Sequence, residues 1–160
     1  MTILPAYHFQ RLFEQLKHHE GAVRNKRGNH VAYRCPAGAL TIGYGHNLSA
    51  NPLPNYGEGS IMREAEAETL LKKDIEAHEA DLLRALPWTG KLDPVRFAVL
   101  VNMCFNLGLG GLLTFKNTLR HIERGKYTDA ACNMRQSKWA RQVGRRASVL
   151  ARMMDTGQWG

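Results

Sequence analysis

Apolar residues recur at helical spacing near the amino terminus and again in the middle of the chain. The first stripe predicts a helix over about residues 7–19, ended by Gly21, and consists of Phe9, Leu12, Phe13 and Leu16. The second stripe predicts a long helix over about 61–85 and consists of Ala67, Leu70, Leu71, Ile75 and Leu82. Asp74 falls on this second stripe. A buried carboxylate is unfavourable unless it is paired, so the pattern also predicts a partner for Asp74.

Residues 93–108 predict a central buried helix. Asp93 stands at the N-cap position, Pro94 at the first helical position and Gly108 where the helix would stop. The run 97–107 is apolar nearly all round, which is typical of a helix surrounded by protein. Shorter helices are predicted at 115–124, 128–135, 137–141 and 145–155.

Residues 22–48 lose the helical period and mix turn-forming with strand-forming residues. The turn formers are Gly28, Pro36, Gly38, Gly43 and Gly45, and the strand formers are Val31, Tyr33, Leu40, Ile42 and Tyr44. This mixture predicts a small, twisted antiparallel sheet, followed by a loop over 51–60. The fold class is therefore α+β, with a small β lobe (about 20–60), a connecting helix (about 61–85) and a larger helical lobe (1–19 and 86–160).

The composition is that of an ordinary globular protein: 160 residues fit one domain, with 44% hydrophobic and 22% charged residues. We find no run of 18 apolar residues, and the amino terminus lacks the layout of a signal peptide, so neither a transmembrane segment nor a leader is expected. Three cysteines are too few for a disulfide framework. Cys104 and Cys132 are predicted to be inert core residues.

The net charge of +8 is concentrated towards the carboxyl terminus, where the segment from Thr114 onward holds ten basic and three acidic residues. A basic face of this kind suits a polyanion, either nucleic acid or an anionic cell envelope. A solvated helical surface would carry the same charges.

Two short stretches are candidates for chemistry. Glu20 ends the first predicted helix, where the negative end of the helix dipole disfavours a second anion and so favours the protonated carboxyl that a general acid needs. In Ala39–Leu48, glycines stand at every second position before His46. That stretch is either a turn-rich hairpin or the wall of a site where a ligand passes close to the backbone.

Taken together, "EG" at 20–21, Cys35 and "TIGYGH" at 41–46 resemble the phage-type lysozymes, the endolysins of glycoside hydrolase family 24. The family motif is a glutamate closing the first helix, an aspartate or sometimes a cysteine, and a threonine six positions later that opens T-x-G-x-G-H. The resemblance continues in the same order through "EAETLLKKD" (66–74), "NMCFNLG" (102–108), "SKW" (137–139) and "RRA" (145–147). It implies one lysozyme-like, two-lobed domain over 1–160.

The resemblance also implies roles for individual residues. Glu20 would protonate the glycosidic oxygen, Thr41 would orient the attacking water, and Cys35 would occupy the place of the second catalytic group. Such enzymes are thought to invert the anomeric centre, which leaves room for a water between the two groups. Gly43 and Gly45 would let the backbone approach the sugar chain.

Further positions follow from the same resemblance. His46 and Asp74 would form a structural ion pair, which supplies the partner that the apolar stripe demanded. Phe105 and Asn106 would contact saccharide, although core packing explains Phe105 equally well. No metal and no other cofactor is expected, because no ligand spacing typical of a metal site occurs.

The chain departs from the family pattern twice. Glu20 and Cys35 are 15 positions apart, several more than usual, and the extra residues fall in "NKRGNHV", which most simply lengthens a hairpin over the cleft. Cys35 replaces a carboxylate, and a thiol is largely protonated at neutral pH unless its pKa is lowered. Whether it acts as thiolate base, nucleophile or water-positioning group stays open.

The leading hypothesis is hydrolysis of the β-1,4 bond between N-acetylmuramic acid and N-acetylglucosamine in peptidoglycan glycan strands. The alternatives are a lytic transglycosylase, a catalytically inactive peptidoglycan-binding protein and, least favoured, a nucleic-acid-binding protein. We expect a monomer that stays in the host cytoplasm until lysis, that a separate membrane protein releases to the wall, and whose basic carboxyl-terminal third contacts the anionic envelope.

Overall fold

The computed structural model describes all 160 residues, Met1–Gly160, and divides into two compact units. The β-containing unit is Phe13–Glu76 and holds every strand. The helical unit comprises Met1–Leu12 and Ala77–Gly160. Seven α-helices with small antiparallel sheets confirm the α+β, lysozyme-like fold class.

The helices lie close to their predicted positions. They are α1 (Ala6–Glu20), α2 (Glu64–Ala85), α3 (Pro94–Leu113), α4 (Lys116–Glu123), α5 (Tyr127–Gln136), α6 (Lys138–Val143) and α7 (Arg145–Thr156), with a short 3-10 helix at Pro87–Lys91. The strands are β1 (His30–Val31), β2 (Tyr33–Arg34), β3 (Leu40–Ile42), β4 (His46–Asn47) and β5 (Ile61–Met62). Residues 51–60 form the predicted loop.

The predicted single sheet is in fact two small antiparallel sheets. One has the order β2-β3-β4, and the other pairs β1 with β5. Val31 lies opposite Ile61 in the second sheet. The prediction that the long helix starts at 61 was therefore wrong by three residues, because Ile61–Met62 pair as a strand before α2 begins at Glu64.

Helix α3 is the buried centre of the helical unit. Its first turn is capped as predicted, because the Asp93 carboxylate accepts a hydrogen bond from the Arg96 backbone N–H at 3.1 Å. Gly108 leaves the helical conformation with φ 75° and ψ 161°, and a short helical segment then continues to Leu113. The helix has the length and composition to cross a membrane, but 56% of its most apolar stretch is buried inside the fold, as in any core helix.

The two helical cysteines differ. Cys104 is fully buried on α3, as predicted, and burial raises the pKa of its thiol to about 11. Cys132 is exposed, so its prediction as a core residue was wrong. Helix α5 buries Ala130, Ala131 and Met134 against its neighbours, which turns Cys132 towards solvent.

Candidate active site

Glu20 is the last residue of α1, and the chain leaves the helix through Gly21. Gly21 has a φ of 64° and donates its N–H to the Lys17 carbonyl at 3.0 Å, a glycine C-cap. The Glu20 side chain then lies directly against the backbone of Gly45. A Cβ added to Gly45 would overlap Glu20 Oε1, because it would come closer to that oxygen than Cβ atoms come to other heavy atoms in proteins.

The alternating glycines form a tight turn between β3 and β4. Gly43 and Gly45 both have positive φ, 63° and 77°. Gly43 is buried, with Ala67 Cβ 3.5 Å from the place of a missing Cβ. Tyr44, between them, is buried and donates its hydroxyl to the Glu64 carboxylate at 2.6 Å. The spacing thus reflects both the turn and the close approach of Glu20.

Cys35 begins a tight turn of its own. Its backbone N–H donates to the Ala39 carbonyl at 3.0 Å, and its carbonyl accepts from the Gly38 N–H at 2.8 Å. The thiol is partly exposed, and its pKa is lowered from the ordinary value of 9.0. The main cause is a hydrogen bond from the Ala39 backbone N–H, with smaller contributions from other turn N–H groups and from the Thr41 hydroxyl, against an opposing effect of desolvation. The turn therefore favours the thiolate.

Thr41 and Tyr33 complete this cluster on neighbouring strands. Thr41 is buried, pairs with Tyr33 across β2 and β3, and has its hydroxyl 3.1 Å from the Ala39 carbonyl. Burial raises the pKa of Tyr33, and the negative charges of Glu20 and Cys35 raise it further. The pKa of Tyr33 therefore depends on the charges of both Glu20 and Cys35. The structure brings Glu20, Cys35 and Thr41 into one compact unit. Tyr33 was not predicted as a site residue.

The structure also brings His46 and Asp74 together. His46 Nδ1 lies 2.8 Å from Asp74 Oδ2, and Nε2 lies 2.8 Å from the Asn51 carbonyl. Both ring nitrogens thus face acceptors, which suits the doubly protonated ring. Burial lowers the pKa of His46, but its hydrogen bond to Asp74 and the charge of that carboxylate outweigh burial, so the net pKa is raised above 6.5. The pair ties β4 to α2 and to the start of the 51–60 loop.

Phe105 and Asn106 lie on α3 in the helical unit. Phe105 is half-buried, with its ring centroid 5.0 Å from that of His78. Asn106 is exposed, and its side-chain oxygen accepts a hydrogen bond from Trp139 Nε1 at 2.7 Å.

Trp139 also lines a groove of about 820 Å³ on the helical unit. The lining is Leu107, Gly111, Thr114, Phe115, Lys116, Asn117, Thr118, Arg120, Asn133, Gln136, Ser137, Lys138, Trp139 and Gln142. It contains three cationic side chains, four amides and two aromatic rings, but no carboxylate. The groove therefore offers hydrogen bonds and positive charge. Among its residues only Leu107, in "NMCFNLG" at 102–108, and the three residues of "SKW" at 137–139 carried a sequence signal, so the groove as a whole was missed.

No three side chains of His, Cys, Asp or Glu converge in an arrangement that could hold a metal ion. The adjacent His18 and His19 rings have centroids 6.1 Å apart and are tilted by 49°.

Sequence comparisons found a matching family model and several similar proteins. The family model described as "Phage lysozyme" matches residues 17–154. "Probable T4-type lysozyme 1" of Dictyostelium discoideum is 31% identical over 61% of this chain, which spans 59% of that protein's length. "Probable T4-type lysozyme 2" of the same organism is 28% identical over 78% of this chain and 85% of its own length. An "Endolysin" of Acyrthosiphon pisum secondary endosymbiont phage 1 is 28% identical over 74% of this chain and 75% of its own length.

We predict that Cys35 is alkylated by iodoacetamide with a pH midpoint below 9.0, because hydrogen bonds within its turn stabilise the thiolate. Thr41→Val should move the midpoint upward, since one donor is lost. Peptide masses would report each cysteine separately, with buried Cys104 remaining unmodified in the native protein. A midpoint at or above 9.0, or one that Thr41→Val leaves in place, would contradict the prediction.

We predict that the His46–Asp74 pair stabilises the fold most in acidic solution. Because the folded-state pKa of His46 is raised, its contribution is complete below 6.5 and is lost as the pH rises through the folded value. The loss of stability in Asp74→Asn should therefore shrink as the pH rises. A double-mutant cycle with His46→Asn, followed by urea denaturation, should give a coupling energy of about 0.5–3 kcal/mol in mild acid. No coupling, or coupling that grows with pH, would contradict the account.

Proposed function

Since the chain belongs to the phage lysozyme family, we propose that it is a muramidase that hydrolyses the β-1,4 bond between N-acetylmuramic acid and N-acetylglucosamine in peptidoglycan. The observation that carries the proposal is the grouping, within the β-containing unit, of the Glu20 carboxyl against Gly45 and of the Cys35 thiol beside Thr41. This grouping supplies one group that can act as an acid, Glu20, and two groups that can act on a water, Cys35 and Thr41.

Glu20 is assigned the role of general acid. Its carboxyl group donates its proton to the glycosidic oxygen as the bond from that oxygen to the anomeric carbon breaks. Its place at the negative end of α1 favours the protonated form before the reaction. The carboxyl group lies close to the Gly45 backbone, which is possible because Gly45 has no side chain.

Cys35 and Thr41 are assigned to the attacking water. The water oxygen forms the new bond to the anomeric carbon, and its proton passes to the Cys35 thiolate, whose pKa the turn has lowered. The Thr41 oxygen orients that water. Glu20 leaves the step as a carboxylate and Cys35 as a thiol, so protons balance, and the anomeric centre inverts.

Substrate contacts are assigned to four residues. Gly45, with Gly43 shaping its turn, lets the backbone approach the glycan. Phe105 and Asn106 contact saccharide in the helical unit. The neighbouring groove suits the acetamido groups and carboxylates of peptidoglycan, because its amides and cations complement them.

The remaining assignments concern how the enzyme reaches its substrate. Nine of the ten basic side chains from Thr114 onward are exposed, which suits contact with an anionic envelope. We propose a monomer that is held in the host cytoplasm until a separate membrane protein gives it access to the wall.

A lytic transglycosylase is the second candidate. That chemistry uses one acid and no activated water, because a hydroxyl group of the sugar itself attacks and leaves a 1,6-anhydro product. The Cys35 thiol, whose pKa is lowered and which lies beside Thr41, favours hydrolysis, since a transglycosylase needs no second group of this kind. An inactive peptidoglycan-binding protein would likewise need neither group.

Digestion of purified peptidoglycan tests the proposal. The wild type should release muropeptides with reducing ends, whereas Glu20→Gln and Cys35→Ser should each lose about 100- to 10,000-fold in rate. Cys132→Ser, exposed on α5, is the matched control and should keep the wild-type rate. Anhydro products would replace the proposal with a transglycosylase, and no cleavage by the wild type would leave a binding protein.

We predict that Gly45→Ala separates catalysis from stability. The new Cβ would collide with Glu20 Oε1, and the displaced acid should lower kcat/KM by about 100-fold. Gly59→Ala is the control, because Gly59 has a similar φ of 75° and open space around it. Both variants should lose roughly 1–2 kcal/mol of stability from the positive φ. Equal activity in the two variants would contradict the assignment of Glu20.

A further inference from the structure

The residues that lengthen the segment between Glu20 and Cys35 form a defined hairpin over 22–31, here called the inserted hairpin. The Val31 N–H donates to the Val23 carbonyl at 2.9 Å, and the Asn25 N–H donates to the Asn29 carbonyl at 2.9 Å. At the tip the Asn25 side-chain oxygen accepts from the backbone N–H groups of Arg27 and Asn29. The residues of the tip are thus hydrogen-bonded to one another.

One carboxylate, that of Glu64, anchors the inserted hairpin to the start of α2. Arg24 and the fully buried ring of His30 both approach Glu64 Oε1, at 2.9 and 2.7 Å. Burial raises the pKa of Glu64, but hydrogen bonds from Tyr44, His30 and Arg24 outweigh burial and hold that pKa at about 2. The anchor therefore keeps its charge at neutral and mildly acidic pH.

Two cations in the segment between Glu20 and Cys35 have no partner in an ion pair. Of its four basic residues, Arg24 pairs with Glu64 and Arg34 pairs with Glu58. Lys26 and Arg27 are exposed at the tip, with no carboxylate within ion-pair distance. No acidic residue occurs between Glu20 and Glu58 in the sequence, so the tip is purely positive.

In the sequence the inserted hairpin lies between the two proposed catalytic residues, Glu20 and Cys35. It starts two residues after Glu20, and its second arm leads through Ala32 into β2, which ends one residue before Cys35. Three residues in each arm, at about 3.3 Å per residue, hold the tip roughly 10 Å from these connections. A polymer strand that is bound at Glu20 and Cys35 and carries negative groups along its length could therefore contact the tip.

We propose that Lys26 and Arg27 bind the free carboxylates of the peptides that branch from the peptidoglycan strand undergoing cleavage. This inference rests on the proposed function. In a strand that bears its peptides the sugars offer only hydroxyl and acetamido groups, because the lactyl carboxyl of each N-acetylmuramic acid forms the amide bond to its peptide. The attached peptides carry free carboxylates, which are the complementary partner of lysine and arginine. The hairpin therefore selects strands whose peptides carry free carboxylates over strands whose carboxyl groups are blocked as amides.

The test uses Lys26→Gln combined with Arg27→Gln, which removes two charges and keeps the turn hydrogen bonds of the backbone. Lys73→Gln combined with Lys91→Gln is the matched control, because both lysines are exposed and have no ion-pair partner. The substrates are soluble, uncrosslinked glycan strands with their peptides and the same strands after all their carboxyl groups have been converted to amides. Unchanged thermal denaturation would verify that both variants fold.

On unmodified strands the hairpin variant should lose about three- to tenfold in kcat/KM, the size expected for two solvent-exposed charge contacts. On amidated strands the hairpin variant should match the wild type, and the control variant should match the wild type on both substrates. An equal loss on both substrates, no loss on unmodified strands, or the same loss in the control would overturn the proposal.

A binding measurement separates this inference from the proposed function. Co-sedimentation with insoluble peptidoglycan, before and after its carboxyl groups are converted to amides, reports affinity even if no bond is cleaved. The hairpin variant should bind native material more weakly than the wild type does, and both should bind the amidated material equally. A defect seen with phosphatidylglycerol vesicles, but not with peptidoglycan, would overturn the proposal in favour of a lipid contact.

Discussion

The approach of the Glu20 carboxyl group to the backbone of Gly45 is the constraint on which the site depends. It requires α1 to stop at residue 20, which Gly21 achieves through its positive φ. It also requires position 45 to lack a side chain, since a Cβ there would overlap Glu20 Oε1. The glycine at position 45 therefore serves two purposes, because the turn needs its positive φ and the acid needs its empty side.

A second carboxylate, Glu64, links the turn to the inserted hairpin. Tyr44, at the centre of the turn, donates to Glu64, which also holds Arg24 and His30 of the hairpin. The turn that positions Glu20 and the hairpin that carries Lys26 and Arg27 thus share one anchor at the start of α2. Catalytic geometry and proposed substrate selection depend on the same ion-pair network.

The helices and part of the site could be predicted from sequence because their signals are local. Periodicity and capping residues located α1 and α3, and an unpaired carboxylate on an apolar stripe pointed to a partner for Asp74, found in His46. Strand β5 was missed because two residues carry no periodicity. Tyr33 and the groove were not predicted, because the residues that surround Tyr33 and those that line the groove come from several different elements. Cys132 was misplaced because which face a short helix buries depends on its neighbours.

In the proposed mechanism, a water held by Cys35 and Thr41 displaces the leaving sugar that Glu20 protonates. The anomeric configuration of the newly formed reducing end tests this most directly. Proton NMR of soluble glycan strands should be recorded during the first turnovers, before the anomers equilibrate. The account predicts the α anomer from the β-linked substrate. A β anomer would contradict it, because retention requires two displacements and would make Cys35 the nucleophile of a covalent intermediate.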